Sequence, residues 1–330
     1  MNNRAFGSGK TPVSEIGLGC WQIGGADWGS VTDAEAFEIL AAAFDSGTTF
    51  FDTADVYGLG RSEELVGRFL KKTSLADAIT VATKMGRFPE PGWPGNFTAE
   101  AMRAHTEASL KRLQVAALDL TQLHCIPTEV LRRGEVFETL RALLAEGKIK
   151  QFGVSVESME EAHLCLDQQG VSSLQIIFNM IRQKPAEVLF ERAQTLGVSL
   201  IVRLPLASGL LAGKYSRDTT FAEQDHRNYN RDGAAFNVGE TFAGIPFEKA
   251  VEIVELLRPF VPAGMTMAQM ALRWCLDFEA VTVVIPGARS AAMARANAAA
   301  SALPPLEGVT HAAIREIYHR YAESAIRGPY

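Results

Sequence analysis

The sequence predicts an α/β protein folded as a closed (β/α)8 barrel of the TIM type. Short β-rich apolar runs alternate with longer segments of helical periodicity, and eight such units follow one another without a domain-scale linker. Regular βαβ alternation demands parallel strands, because each crossover returns the chain to the same edge; eight units in one run favour closure over an open sheet. At 330 residues, 47% hydrophobic and 21% charged, the chain suits one such barrel, so residues 1–330 are expected to form a single domain.

The elements follow in order. A β-hairpin is expected from residues 4–6 and 11–13, ahead of a first inner strand at 16–19. The first helix runs from Asp33 to about Ser46. Thr32 and Glu35 have capping-box spacing, Phe37, Leu40 and Phe44 share a face, and Gly47 stops it. The remaining strands fall at 49–52, 79–83, 118–123, 149–154, 174–177, 199–202 and 282–285. Helical patterns lie between them around 62–71, 99–113, 133–145, 159–167, 185–195 and 247–257, with 268–275 before the last strand and 291–300 closing the series. The stretch 216–245 breaks this regularity. It is polar and rich in Gly, Asn, Asp and Arg, and its length inside a compact barrel points to a lid, anchored by Phe221, Tyr229, Phe236 and Phe242.

Composition narrows the function classes. Net charge is −6 and no long basic run occurs, which argues against nucleic acid or an anionic membrane as partner. No apolar stretch reaches membrane-spanning length, and the first ten residues lack the apolar core of a secretory signal. Cys20, Cys125, Cys165 and Cys275 are scattered singly, which suits a reducing compartment, so a cytoplasmic protein is expected. A homo-oligomer is left open.

Several motifs fail on inspection. Gly7-Ser8-Gly9-Lys10-Thr11 resembles a Walker A tail, but the required first glycine falls at Arg4. Gly17-Leu18-Gly19 and Gly58-Leu59-Gly60 begin dinucleotide fingerprints, but Gln22 and Glu63 replace the third glycine, so a nicotinamide would have to bind outside a Rossmann site. Gly153-Val154-Ser155-Val156-Glu157 misses the nucleophile elbow at its last position. The six histidines contain no HExxH and no i, i+4 pair, so no metal is expected.

The chemistry is sought where barrel strands end. Three consecutive strands close on polar residues: Asp52, Lys84 after Thr83, and His124 after Leu123. Neighbouring strands lie about 4.8 Å apart, so Asp52 and Lys84 are in reach of each other, with His124 one strand on. Tyr57 follows Asp52 by five residues, in a loop that can fold back over the same mouth. Singly, these could be a turn cap, a solvated lysine and two rim residues. Together they read as acid catalysis. A phenol of pKa about 10 is a poor donor near neutrality, and an ammonium beside it lowers that pKa. A carboxylate keeps the ammonium charged, and an imidazole orients a carbonyl by hydrogen bonding.

The run Phe51-Asp52-Thr53-Ala54-Asp55-Val56-Tyr57-Gly58, continuing through Ser62-Glu63-Glu64 to Gly67, resembles the signature of the aldo-keto reductase superfamily. Ala82-Thr83-Lys84, Leu123-His124, Gly153-Val154-Ser155, Pro205-Leu206-Ala207-Ser208-Gly209 through Gly213-Lys214, and Ile285-Pro286-Gly287-Ala288-Arg289 match it in order. Within the superfamily the chain is most similar to the bacterial inositol-utilisation and general-stress reductases. The resemblance implies NAD(P)H-dependent carbonyl reduction on a (β/α)8 barrel, with Asp52, Tyr57, Lys84 and His124 as catalytic tetrad. It implies cofactor contacts at Trp21, Asp52, Ser155, Gln175, Arg203, Leu206, Ser208, Gly209, Leu211, Lys214, Gly287, Arg289 and Asn297. Ser155 and Gln175 would hold the nicotinamide amide, and the Arg203 guanidinium would stand where relatives stack an aromatic ring. Independently, a loop-to-helix junction after the last strand, with Ser290 as N-cap, offers donors to an anion, and Arg289 beside it suits a 2′-phosphate. NADPH is therefore the expected cofactor, with NADH second.

This chain departs from the pattern at Met293 and Ala296, where Gln and Glu are common, at Val156 for Asn and at Phe178 for Tyr. A substrate pocket is expected from Trp21, Trp28, Tyr57, Met85, Phe88 and His124, with Trp93 close by; its aromatic character favours an aldehyde or ketone over a sugar. The alternatives are an NAD(P)-dependent sugar or polyol dehydrogenase, a cofactor-sensing binding protein with little turnover, and a non-redox barrel, which would leave every cofactor motif a coincidence.

Overall fold

The structure is a computed structural model that describes residues 1–330, the side chain of Ala26 excepted. Two short strands, β1 (Asn3–Phe6) and β2 (Thr11–Ser14), form the expected antiparallel hairpin. Eight parallel strands follow: β3 (Leu18–Gly19), β4 (Phe50–Asp52), β5 (Thr80–Met85), β6 (Leu120–His124), β7 (Phe152–Ser155), β8 (Val171–Ile177), β9 (Ser199–Arg203) and β10 (Val281–Val284), each hydrogen-bonded to the next. The ring closes between β10 and the first strand, where Gly17 N donates to Val284 O at 2.8 Å and Gly19 N to Pro286 O at 3.0 Å. The Gly17-Leu18-Gly19 run serves this seam, since a Cβ on Gly19 would stand 3.0 Å from Ile285 O. All eight inner strands predicted from the sequence are present, with ends moved by up to three residues.

Strand alternation sorts the side chains. Val81 and Met85 of β5 face the surrounding helices, as do Phe51 of β4 and Leu200 and Val202 of β9. The inward positions hold a separate small core of Phe6, Val13, Phe50, Ala82, Leu120, Ile201, Val283 and Ile285. The hairpin plugs this end of the barrel, with the Phe6 and Phe50 rings 5.3 Å apart. Two residues further along the same inward rows stand Asp52, Lys84, Gln122 and Arg203. The interior is thus apolar at its N-terminal end and polar where the strands finish, the usual seat of barrel chemistry.

The helices wrap the outside. The Asp33–Asp45 helix opens with the expected Thr32/Glu35 capping box, both bonds being present. Helices Ala99–Leu113, Phe247–Leu257 and Ala291–Ala299 fall where periodicity places them. Three corrections apply. The pattern at 133–145 is two helices, Thr128–Arg133 and Glu135–Ala145, broken at Gly134. The one at 185–195 breaks at Leu189 into Lys184–Val188 and Phe190–Thr195. The series does not close at Ala300: a helix Gly308–Ile317 follows, whose only fully buried side chain, Ile314, leaves too thin an apolar stripe to read. Among the described residues no helix is long and apolar enough to cross a membrane.

Candidate active site

Asp52 and His124 end β4 and β6, Lys84 is the penultimate residue of β5 between them, and the loop after β4 brings Tyr57 to them. That loop is tied down by its own sequence. Ser62 Oγ accepts from Thr53 Oγ1 at 2.8 Å and donates to Cys20 O at 2.9 Å, while Asp55 N donates to Lys84 O at 3.1 Å. Gly58 has φ +61°, and a Cβ there would run into Gly24 O at 1.8 Å, so the turn beyond Tyr57 admits no side chain.

The Lys84 ammonium, 1% exposed, spends all three hydrogens. They go to Asp52 Oδ1 at 2.5 Å, Thr53 O at 2.8 Å and Tyr57 Oη at 3.2 Å. The other Asp52 oxygen accepts from Gln175 Nε2 at 2.7 Å and Gln122 Nε2 at 3.4 Å. Burial alone would lower Lys84, but Asp52 and Tyr57 outweigh it and hold the ammonium above its ordinary range. Tyr57 corrects the simplest electrostatic expectation: Lys84 does pull the phenol down, yet burial pushes it up by more, and the net shift is upward. His124 is driven well below the ordinary imidazole range by burial and by Arg87, Lys84 and Arg203, so its ring is neutral near pH 7. Its Nδ1 is buried with no hydrogen-bond partner among the described residues. Trp21 stacks on Tyr57 at 5.8 Å and His124 meets the same ring edge-on at 5.7 Å.

Two cavities meet at this cluster. The first, about 540 Å³, brings together Trp21, Asp52, Gln175, Arg203, Leu206, Ser208, Gly209, Lys214, Gly287 and Arg289, with Tyr57 and His124 at its inner end. Lys214, Arg227 and Arg289 join Arg203 as its cations, and Ser290 caps the Ala291–Ala299 helix at its rim, accepting from Met293 N at 3.2 Å. The second, about 620 Å³, shares Trp21, Tyr57, His124 and Glu240 with the first and adds Phe88, Trp93, Tyr229 and Phe236.

Several expected residues stand elsewhere. Ser155, paired with His124 across β6 and β7, is buried against Cys125 Sγ at 3.4 Å and does not line the first cavity. Leu211 packs into the outer core. Asn297 braces the rim, its Nδ2 donating to Gly287 O at 3.2 Å. Met85 lines neither cavity, because the alternation that turns Lys84 inward turns its neighbour outward. Trp28 belongs to the first cavity rather than the substrate side, packed on His226 at 4.3 Å. Phe178 faces Trp274 and Phe278 outside the barrel, so its departure from the family pattern lies away from both cavities.

The 216–245 stretch borders both cavities, with Arg227 and Glu240 lining the first and Tyr229, Phe236 and Glu240 the second. Phe221 and Phe242 anchor it on Phe247, at 5.7 and 4.8 Å. Tyr229 Oη donates to Asp27 Oδ1 at 2.8 Å, joining it to the loop after β3. Glu240, which no motif or periodicity marks, meets Arg87 at 3.1 Å and Arg203 at 3.4 Å. Those partners are far away in the chain: Arg203 ends β9, and Arg87 lies three residues past Lys84.

The sequence profile of the Aldo/keto reductase family matches residues 15–319. The chain belongs to this family and is an oxidoreductase. It is 31% identical over 284 residues to the aldo-keto reductase YhdN of Bacillus subtilis, covering 84% of this chain and 82% of that one. It is similar in fold to aldo-keto reductase AKR11C1 from Bacillus halodurans in its holo form, with TM-score 0.79, 26% identity and 99% and 98% of the two chains covered. It is also similar to an aldo-keto reductase from Klebsiella pneumoniae in complex with NADPH, with TM-score 0.70, 26% identity and coverage of 96% and 95%.

Proposed function

We propose that this protein, working as a single domain in the cytoplasm, reduces aldehyde or ketone carbonyls to alcohols with NADPH. The observation that carries this reading is the Lys84 ammonium held between Asp52 and the Tyr57 hydroxyl, at the junction of two cavities. The first cavity fits a phosphorylated dinucleotide, with Lys214, Arg227, Arg289 and a capped helix N-terminus at its outer part and Arg203 and Gln175 at its inner part. Bound there, NADPH supplies the hydride.

The residues of this chain supply the rest. A carbonyl entering from the aromatic second cavity accepts hydrogen bonds from the Tyr57 phenol and the neutral His124 imidazole. Because Tyr57 sits above its ordinary range, it is protonated at neutral pH, and the Lys84 charge makes that proton easier to give to the carbonyl oxygen than burial alone would. Lys84 stabilises the phenolate left behind, and Asp52 keeps Lys84 charged in a buried site. The aromatic walls favour carbonyl compounds over polyols, and the complete tetrad favours turnover over cofactor sensing.

Titration with NADPH and NADH, followed by a panel of carbonyl compounds, tests the reading; no NADPH oxidation with any of them would refute it. Arg289→Ala is expected to weaken NADPH about ten- to a hundredfold while sparing NADH, because a charge-assisted bond is worth about 1.5–3 kcal/mol. Equal losses for both cofactors would remove Arg289 from the 2′-phosphate. If the 216–245 segment closes over bound cofactor, saturating NADPH should protect it from limited proteolysis. Cleavage at an unchanged rate would make it a passive insertion.

A further inference from the structure

The second cavity carries an unbalanced charge. Six aromatic side chains form its walls, and its charged lining groups are Asp27, Glu157, Glu240 and Arg87. Arg87 binds Glu157 at 2.9 Å and Glu240 at 3.1 Å, and Arg203 reaches Glu240 from the cofactor side at 3.4 Å. Two guanidinium groups thus offset two glutamates. Asp27 is left over. Its oxygens accept from Trp21 Nε1 at 3.1 Å and Tyr229 Oη at 2.8 Å, both neutral donors, and no cation forms an ion pair with it among the described residues. His124 and Tyr57 line the same cavity, so the reacting end of a ligand is placed at these two groups.

We infer that this cavity selects aromatic carbonyl compounds by charge, accepting neutral and cationic ones and rejecting those with a carboxylate, with Asp27 as the specificity-determining residue. The inference rests on the carbonyl-reductase reading above. Aromatic faces attract cations, and the surplus carboxylate adds to that attraction while repelling anions. One uncompensated charge about 8 Å from a ligand charge, at an effective dielectric of about 30, shifts affinity about tenfold. A carboxylate ligand has one route round this, which is to displace Glu157 from Arg87, and that strands a glutamate beside Glu240.

The probes are para-tert-butylbenzaldehyde, its cationic isostere para-trimethylammoniobenzaldehyde, and para-carboxybenzaldehyde. Burial and Glu240 hold Glu157 above the usual carboxylate range, so mildly alkaline buffer keeps it ionised. Calorimetric titration of NADP+-loaded protein should show the carboxylate binding at least about tenfold more weakly than the neutral probe, and the cation at least as tightly as the neutral one. Asp27→Asn should close most of the gap between neutral and anionic probes. Raising the salt should narrow it in the unaltered protein, which keeps the test open if the variant misfolds. Tighter binding of the carboxylate than of the neutral probe, or a gap that neither salt nor Asp27→Asn changes, overturns the inference. Turnover is read separately as NADPH consumption. The expected binding order with no consumption would sink the reductase reading and leave charge selection standing.

Discussion

Tyr57→Phe is expected to lower carbonyl reduction by about 10²–10⁴-fold, the range for a general acid, while NADPH affinity stays nearly unchanged. The substitution keeps the ring that stacks on Trp21 at 5.8 Å and removes only the hydroxyl that Lys84 reaches at 3.2 Å. Without that hydroxyl the developing alkoxide has a neutral imidazole beside it and no proposed donor of a proton. The pH dependence follows from the direction of the Tyr57 shift. A phenol held above its ordinary range stays protonated through neutrality, so reduction should be level there and fall only on the alkaline side as the donor is lost. Steady-state rates across pH, with cofactor affinity measured separately, check both parts. A wild-type rate in the variant with cofactor bound would contradict the assignment.

Lys84→Met should act in the same direction by another route. The phenol remains, but the charge that opposes its burial is gone, so the proton becomes harder to give and the alkaline fall moves higher still. The variant also strands Asp52 with only the Gln175 and Gln122 amides, and a buried carboxylate that loses its partner destabilises by about 3–5 kcal/mol. Denaturant unfolding reads that loss apart from activity. Because Tyr57 and Lys84 act as one unit, the double variant should be little slower than Tyr57→Phe alone. Multiplying rate losses would show that they work independently.

The barrel was legible because each inner strand is a short apolar run between longer helical periods, and because burial on both faces leaves little room for other residues there. The polar ends of three successive strands exposed Asp52, Lys84 and His124 for the same reason: an inward polar residue at the top of a barrel strand has no packing role to fill. Met85 packs into the outer core, as alternation requires, since Lys84 cannot face inward unless Met85 faces out. The side of the site on which Trp28 falls was not legible, because it depends on His226, which reaches it from the 216–245 segment. Glu240 was hidden for a related reason. Its partners Arg87 and Arg203 come from different strand ends, and a pairing across that separation leaves no periodic trace in the sequence.

The central claim is tested most directly by one stoichiometry. NADPH-loaded protein is mixed with a slight excess of para-tert-butylbenzaldehyde, and NADP+ and the aryl alcohol are quantified together in the wild type and in Tyr57→Phe. The account predicts one alcohol for each NADP+ formed in the wild type, and almost none of either in the variant over the same interval. Cofactor held by the wild-type protein but left unoxidised, with no alcohol formed, would contradict it.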